Sequence, residues 1–211
     1  MSLHPDIRGI FFDLDGTLYE SPRFAATIQE AAADYIAELR QLEAADARRL
    51  IAETRSRLIE ERDEIPTLSA VCSELGGNIN GMHAFFESHI QPEVYLAHDP
   101  RVVAMMTRLR AQFPLYLYTN NNRVLTNRIL NQLALNGIFR HIYAIDDTWT
   151  AKPDAGMLEM ILAESGLRPA QALFVGDRYD VDLRLPEQMG CPVYLSQTID
   201  QLLRLEELLN I

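Results

Sequence analysis

Two aspartates lie two residues apart, at Asp13 and Asp15, directly after a short apolar segment that begins at Ile7. Two carboxylates this close repel each other unless a cation or a shared proton relieves the charge. Mg²⁺ binds through one or two carboxylates together with the phosphate oxygens of a substrate. The pair therefore predicts a magnesium site that also receives a phosphoryl group. A hairpin at Asp15-Gly16 is the competing interpretation, but a helical pattern follows Tyr19 where a hairpin needs a second strand.

Thr119 and Asn120 close a second apolar segment, Leu115–Tyr118. A threonine hydroxyl and neighbouring backbone N–H groups can hold phosphoryl oxygens. Thr119 is equally suited to cap the helix predicted to follow at 123–136. The residues alone leave both interpretations open.

Lys152 is the single lysine in a chain that contains 19 basic residues. An isolated surface lysine is normally a solvated charge. In a chain whose other cations are all arginine, however, a compact ammonium at one position favours a small anionic pocket that a planar guanidinium would not fit.

Asp177 follows a further apolar segment, with Asp180 and Asp182 shortly after it. An acidic cluster in such a loop is often only a helix N-cap. Asp13, Thr119 and Asp177 each follow a predicted strand, and Lys152 lies just beyond a weaker one. Because the carboxyl ends of parallel strands meet at one edge of a sheet, we expect these side chains to converge.

Apolar segments without alternation predict strands that are buried on both faces of a parallel sheet. Helical patterns separate them, so the sequence predicts an α/β fold with an open parallel sheet. The predicted strands are 7–12, 115–118, 142–145, 172–175 and 192–195, and the helices between them are 99–112, 123–136, 154–165 and 199–209.

The segment 21–92 interrupts this alternation, because it contains helical patterns and no good strand. It leaves directly after the first strand's loop and returns before the helix at 99–112. We therefore expect a core formed by 1–20 and 93–211, with 21–92 as a helical cap domain over the strand ends. The cap arginines Arg23, Arg55, Arg57 and Arg62 could contact a phosphate or a base, although a solvated helix face is the commoner role.

Composition limits the partners of the chain. Its formal net charge of −11 disfavours nucleic-acid polymers and anionic membranes. No apolar run reaches the length of a membrane span, and the N-terminus does not resemble a secretory signal, which together predict a cytoplasmic protein. Cys72 and Cys191 are far apart and predict neither a disulfide framework nor a zinc site.

Four motifs resemble those of the haloacid dehalogenase-like hydrolases, in that family's order and over the whole chain. They are Asp13-Leu14-Asp15-Gly16-Thr17-Leu18, Leu117-Tyr118-Thr119-Asn120, Ala151-Lys152-Pro153-Asp154 and the segment 175–182. The resemblance implies a Rossmann-like core with an inserted helical cap of the family's first type. It also implies a Mg²⁺-dependent phosphohydrolase acting on a small phosphorylated metabolite, either a nucleotide or a sugar phosphate.

The resemblance also implies a role for each residue. Asp13 would be the nucleophile that forms an aspartyl-phosphate, and Asp15 the general acid and base. Thr119 would bind a phosphoryl oxygen and Lys152 would neutralise negative charge. Mg²⁺ would be held by Asp13, the backbone carbonyl of Asp15, Asp177 and Asp182, with Asp180 as the alternative to Asp182 in a shorter variant of the motif.

Three alternatives are weighed against this interpretation. A receiver domain also phosphorylates an aspartate, but it is shorter, has no cap and has no acid two residues after the nucleophile. Carbon–halogen hydrolysis is disfavoured, because dehalogenases lack an aspartate at the position of Asp15. A sugar-phosphate mutase keeps both acids, so the motifs leave it open.

Tyr19, together with Thr119-Asn120, resembles the pyrimidine 5′-nucleotidase-like branch of the family and would make Tyr19 and Asn120 substrate contacts. The cap signature expected for that branch is not evident between residues 50 and 70. Tyr19 is equally explained as an aromatic residue that packs at the hinge.

Overall fold

The structure is a computed structural model that describes residues 6–62 and 65–210, without the side chain of Arg62. The predicted core's first five residues and Ile211 therefore lie outside the described part of the chain. Five strands form one parallel sheet in the order β3-β2-β1-β4-β5. The strands are β1 (Gly9–Phe12), β2 (Leu115–Tyr118), β3 (His141–Tyr143), β4 (Ala172–Gly176) and β5 (Val193–Leu195).

Helices connect the strands and also form the insertion after β1. Those of the insertion are α1 (Pro22–Arg40), α2 (Ala44–Arg62), α3 (Leu68–Glu74) and α4 (Ile79–His89). Those that flank the sheet are α5 (Pro100–Gln112), α6 (Arg123–Gln132), α7 (Ala155–Ser165), α8 (Arg184–Gln188), α9 (Ile199–Leu203) and α10 (Leu205–Leu209).

The central strand β1 is buried along its whole length. The Phe11 ring stacks between those of Tyr116 and Phe174, with centroid distances of 4.5 and 4.7 Å. Register pairs Phe12 with Leu117 on β2 and with Val175 on β4. As a result, the residues that follow β1 emerge between the ends of β2 and β4.

The direction of strand addition reverses at β1. The chain places β2 and then β3 on one side of β1, and β4 and β5 on the other. Ligands of open α/β sheets bind beyond the carboxyl ends of the strands at such a reversal. Asp13 lies directly after β1, at this point. The predicted Rossmann-like open parallel sheet with an inserted helical segment is confirmed.

The four inserted helices pack on one another, with α1 in contact with α2, α3 and α4. Tyr35 on α1 links it to the start of α4, because its hydroxyl accepts the N–H of Asn78 at 3.2 Å and donates to the carbonyl of Asn78 at 3.4 Å. Helix α4 also contacts α6 of the sheet layer. The insertion therefore lies against the loop that leads into α6.

Boundaries differ from the prediction at several elements, and β1 begins at Gly9 rather than at Ile7. The weak strand is His141–Tyr143 rather than 142–145. Helix α6 ends at Gln132 instead of 136, where Ala134 adopts a left-handed φ of 56° that ends the helix. The helix predicted at 199–209 is divided at Arg204 into α9 and α10.

A π-helical turn, Tyr179–Leu183, precedes α8 and has no counterpart in the sequence prediction. It begins two residues after β4, beyond Asp177 and Arg178, and it carries the second and third aspartates of the acidic cluster after that strand. Within 6–62 and 65–210, no helix is long and apolar enough to span a membrane.

Candidate active site

Asp13 directly follows β1, where the direction of strand addition reverses, and hydrogen bonds hold both its backbone and its side chain. Its N–H donates to the carbonyl of Val175 at 2.9 Å, which extends the β1–β4 pairing by one residue. The hydroxyl of Thr17 donates to Oδ2 at 3.2 Å, and Lys152 Nζ donates to Oδ1 at 2.6 Å. Burial and the nearby Asp182 carboxylate together raise the pKa of Asp13 to about 7, although Lys152 opposes the rise.

Lys152 lies at the centre of the site and is 2% exposed. Its Nζ donates to Asp13 Oδ1 and to Asp182 Oδ1, both at 2.6 Å, and to the carbonyl of Tyr118 at 2.9 Å. These contacts use all three ammonium donors. Burial by itself lowers the pKa of Lys152, but attraction to Asp13 and Asp182 outweighs it and holds the pKa above its ordinary value. Lys152 therefore stays charged.

Asp15 has a separate set of partners. The hydroxyl of Tyr19 donates to Oδ1, and Asn121 Nδ2 donates to Oδ2 at 2.5 Å. Burial raises the pKa of Asp15, and the hydrogen bond from Tyr19 opposes the rise. A carboxyl group with a raised pKa is suited to donate a proton, and two side chains fix its orientation.

Three consecutive asparagines after β2 make three different contacts. Asn120 Oδ1 accepts the backbone N–H of Lys152 at 2.7 Å, Asn121 donates to Asp15, and Asn122 Oδ1 caps α6 through the N–H of Leu125 at 2.8 Å. Sequence reasoning missed Asn121 and Asn122. The run of three amides directly after a buried strand is the signal that could have revealed them.

Thr119 is 1% exposed, and its Oγ1 accepts the N–H of Asn121 at 3.1 Å. It therefore shapes the loop that carries Asn121. Helix α6 is capped by Asn122, so the interpretation of Thr119 as its N-cap is wrong.

The acidic residues form a compact group. Asp13, Asp177 and Asp182 each offer a carboxylate oxygen, and these oxygens lie within 4.8 Å of one another. Asp182 is buried, whereas the half-exposed Asp180 pairs with Arg184 at 3.5 Å. The geometry thus places Asp182 in the group and Asp180 outside it.

A divalent cation fits this group of oxygens. Asp177 Oδ1 is buried and has no hydrogen-bond partner among the described residues, as expected of an oxygen that binds a metal ion. Burial and the nearby Asp182 carboxylate together raise the pKa of Asp177 to about 6. A cation would relieve the repulsion among these carboxylates. Mg²⁺ suits the all-oxygen set.

Gly16 allows the two loops to approach. Its φ of +85° is in the left-handed region, and a Cβ there would lie 2.4 Å from Asp177 Oδ2. Any side chain at position 16 would therefore push Asp177 away from Asp13.

A cavity of about 440 Å³ opens between the strand ends and the inserted helices. Asp15, Asp177 and Arg178 line its core side. Asp13, Thr119, Lys152 and Asp182 are buried and are not among the residues of its wall. Of the residues predicted to contact substrate, Tyr19 and Asn120 line it. The centroid of the Tyr19 ring also lies 6.0 Å from that of the Phe24 ring. Tyr19 therefore both lines the cavity and packs against an aromatic neighbour.

Three of the predicted cap arginines, Arg23, Arg55 and Arg57, lie outside the cavity wall, and the side chain of Arg62 is outside the described structure. Arg57 pairs with Glu61 at 2.9 Å and Glu74 at 2.8 Å, on the solvent side. Arg55 Nη2 donates to Oε1 of Gln29 at 3.0 Å. The guanidinium of Arg23 lies 5.7 Å from the centre of the Tyr95 ring.

The family is identified by comparison with known sequences. The model of the family described as "haloacid dehalogenase-like hydrolase" matches residues 7–190 of this chain. The chain belongs to this family, as its four motifs predicted.

Two curated relatives are phosphatases. The chain is 31% identical to phosphoglycolate phosphatase 1 of Pseudomonas aeruginosa over 185 residues, which cover 82% of this chain and 64% of that enzyme. It is 26% identical to the phosphoglycolate phosphatase of Escherichia coli O157:H7 over 219 residues, covering 91% and 82% of the two chains. The chain thus spans less than two thirds of the Pseudomonas enzyme.

Among solved structures, the HAD-hydrolase YfnB of Bacillus subtilis, bound to magnesium, has a TM-score of 0.60. The match covers 97% of this chain and 99% of that one, at 21% sequence identity. This similarity supports the fold.

Proposed function

We propose that this chain is a Mg²⁺-dependent phosphohydrolase that cleaves a small phosphate monoester through an aspartyl-phosphate on Asp13. The observation that carries the proposal is the pair of carboxylates with different partners. Asp13 is bound to an ammonium at 2.6 Å, whereas Asp15 is held by neutral donors and lines the cavity. Membership of a hydrolase family and the two phosphatase relatives support the same reaction.

In the first step, an Asp13 carboxylate oxygen attacks phosphorus, and the bond from phosphorus to the leaving oxygen breaks. Asp15 donates its proton to that oxygen, so the product leaves as an alcohol. Tyr19 and Asn121 keep Asp15 aimed at the cavity during this transfer. The raised pKa of Asp15 favours the protonated form that this step requires.

In the second step, Asp15 removes a proton from water, and the water oxygen attacks phosphorus. The bond between phosphorus and Asp13 breaks, inorganic phosphate leaves and Asp15 is protonated again. Lys152 stabilises the negative charge at Asp13 throughout. Thr119 accepts a hydrogen bond from the backbone of Asn121, in the loop after β2. We propose that Thr119 also binds a phosphoryl oxygen of the substrate. Asn120 supports the site indirectly, by fixing the backbone of Lys152.

Mg²⁺, when bound, supplies charge neutralisation for the phosphoryl group. Asp13, Asp177 and Asp182 would hold it, with the carbonyl of Asp15 as the further ligand that the motif suggests. Phosphate monoesters hydrolyse very slowly without a catalyst, so concentrated positive charge is the main requirement of the site.

The helical segment 21–92 is proposed to act as a cap that closes over a core formed by 1–20 and 93–211. Its position against the α6 loop supports this division. Nucleotides and sugar phosphates are the proposed substrates, and phosphoglycolate is the substrate in the names of the relatives. A cytoplasmic location and the lack of nucleic-acid or membrane partners stay predictions.

The test is phosphate release from a panel of nucleoside monophosphates, sugar phosphates and phosphoglycolate, with Mg²⁺ or with a chelator. Wild type is expected to hydrolyse at least one compound, and Asp13→Asn to lose about 10³-fold or more in kcat. Chelation is expected to abolish turnover, and added Mg²⁺ to restore it. Equal rates for Asp13→Asn and wild type would refute the mechanism. Chromatography of the sugar-phosphate reactions detects an isomerised product, which would indicate a mutase.

A further inference from the structure

The part of the cavity wall contributed by the insertion differs in chemistry from the part at the strand ends. Its apolar members are Pro22, Ala25, Ile28, Leu68, Met82 and Phe86. Its polar members are all uncharged at neutral pH, namely Ser21, Gln29, Thr67, Ser69 and His83. Among the wall residues that the structure describes between 21 and 92, none is a cation.

The cation in the described wall of the cavity, Arg178, lies on the opposite side. Arg178 lies on the core side, where its half-exposed side chain places Nε 3.8 Å from Asp177 and 4.0 Å from Asp182, so these carboxylates offset part of its charge. Arg55 is not a wall residue, and its guanidinium binds Gln29 Oε1. An anionic leaving group that reached the side of the insertion would therefore find no counter-charge there, which disfavours its binding at that side.

His83 is the unusual member of this wall. It is 2% exposed, and neither imidazole nitrogen has a hydrogen-bond partner in the described structure. Its ring packs against those of Phe86, at 5.6 Å, and Trp149, at 6.3 Å. A buried imidazole without partners costs free energy, and such groups often mark a functional contact.

The backbone of His83 is tied to the catalytic loop. Its carbonyl accepts a hydrogen bond from Asn122 Nδ2 at 3.1 Å. Asn122 adjoins Asn121, which binds Asp15. Burial lowers the pKa of His83 to about 4, so the ring is neutral near pH 7 and offers one donor and one acceptor.

We infer that the cavity accepts an uncharged, partly apolar leaving group whose hydroxyl is hydrogen-bonded by His83. The inference rests on the proposed phosphatase function and narrows its substrate class. It favours phosphate esters of neutral alcohols, which include sugars and nucleosides. It disfavours phosphoglycolate, whose leaving group carries a carboxylate.

Binding can be measured without turnover in the Asp13→Asn protein with Mg²⁺ present. Trp149 is the single tryptophan of the chain, so its fluorescence reports on ligands near His83. The first pair of probes is phosphoglycolate and 2-hydroxyethyl phosphate. The two compounds differ only at one end, where phosphoglycolate carries a carboxylate and 2-hydroxyethyl phosphate carries a hydroxymethyl group. We expect 2-hydroxyethyl phosphate to bind at least about fivefold more tightly. Equal or tighter binding of phosphoglycolate would overturn the inference about charge.

The second set of probes compares hydroxyalkyl phosphates of two to four carbons with the alkyl phosphates of the same length. At the length that reaches His83, the hydroxyl is expected to tighten binding about fivefold. His83→Phe should abolish this preference and leave the affinity for the alkyl phosphates within twofold, while His83→Gln should restore most of it. His89→Phe, on the exposed side of the same helix, is the matched control and should keep the preference.

A hydroxyl preference that survives in His83→Phe would assign His83 a purely structural role. So would an equal loss of affinity for both sets of probes. The two proposals fail differently. Tight binding without turnover in wild type contradicts the phosphatase function alone, whereas rapid turnover of phosphoglycolate contradicts the neutral leaving group alone.

Discussion

The two sides of the cavity differ in charge and in hydrogen bonding. Behind the wall on the core side, Asp13, Lys152 and Asp182 are buried and joined by short charge-assisted hydrogen bonds. On the side of the insertion, the wall is neutral and His83 has no hydrogen-bond partner in the described structure. The difference suggests a division of work, in which the core holds the groups common to phosphate chemistry and the insertion selects the alcohol.

The largest expected effect is at Lys152, on the core side. Lys152→Met leaves the carboxylates of Asp13 and Asp182 buried without their cation, so we expect unfolding free energy to fall by about 3–5 kcal/mol. We also expect kcat/KM to fall about 10²–10³-fold. Urea unfolding and phosphate release measure the two effects. Unchanged stability would contradict the assigned role of the ion pairs.

Lys152→Arg is the matched variant, because it keeps the charge. The three acceptors surround Nζ at 2.6–2.9 Å and leave no space for a planar guanidinium. We therefore expect activity to stay low while part of the lost stability returns. Full activity in Lys152→Arg would show that an ammonium is not required.

A smaller effect concerns pH and the metal. Metal ligands must be deprotonated, and the pKa values of Asp13 and Asp177 are raised to about 7 and about 6. Protons therefore compete with Mg²⁺ as pH falls through this range. Affinity for Mg²⁺ is expected to drop about tenfold between pH 7.5 and pH 6, and more steeply below. Calorimetric titration at each pH measures this; a flat profile would contradict the assigned ligands.

The smallest effect is at Tyr19, which lies between the two sides. Tyr19→Phe removes one hydrogen bond to Asp15, so we expect kcat to fall about fivefold with KM little changed. Tyr95 is a matched control, because its ring also packs on Phe24, 6.0 Å away. Steady-state kinetics should show no change in Tyr95→Phe, and an equal loss in both variants would point to packing instead.

The sequence was most informative about the core. Buried strands in a parallel sheet lack polar alternation, so their segments and the polar residues that close them stand out. The convergence of Asp13, Lys152 and Asp177 follows from the topology alone. Membership of the hydrolase family, which the four motifs predicted, is confirmed by the match over residues 7–190.

Contacts between distant segments were harder to predict. Asn121 reaches Asp15 across 106 positions, and its partner could not be chosen from local pattern. His83 lies among apolar residues on an ordinary amphipathic helix, so only the folded cavity distinguishes it. The π-helical turn that carries both Asp180 and Asp182 has no sequence signature either, and within it Asp182 is the aspartate that binds Lys152.

The burial of Lys152 also affects how the protein can be labelled. The chain has no other lysine, and this one is 2% exposed and charged. Acylating reagents need an accessible, deprotonated amine, so side-chain labelling of the native protein requires the site to open first. The rate of acylation at this position, followed by mass spectrometry, would then measure how often the active site opens in solution.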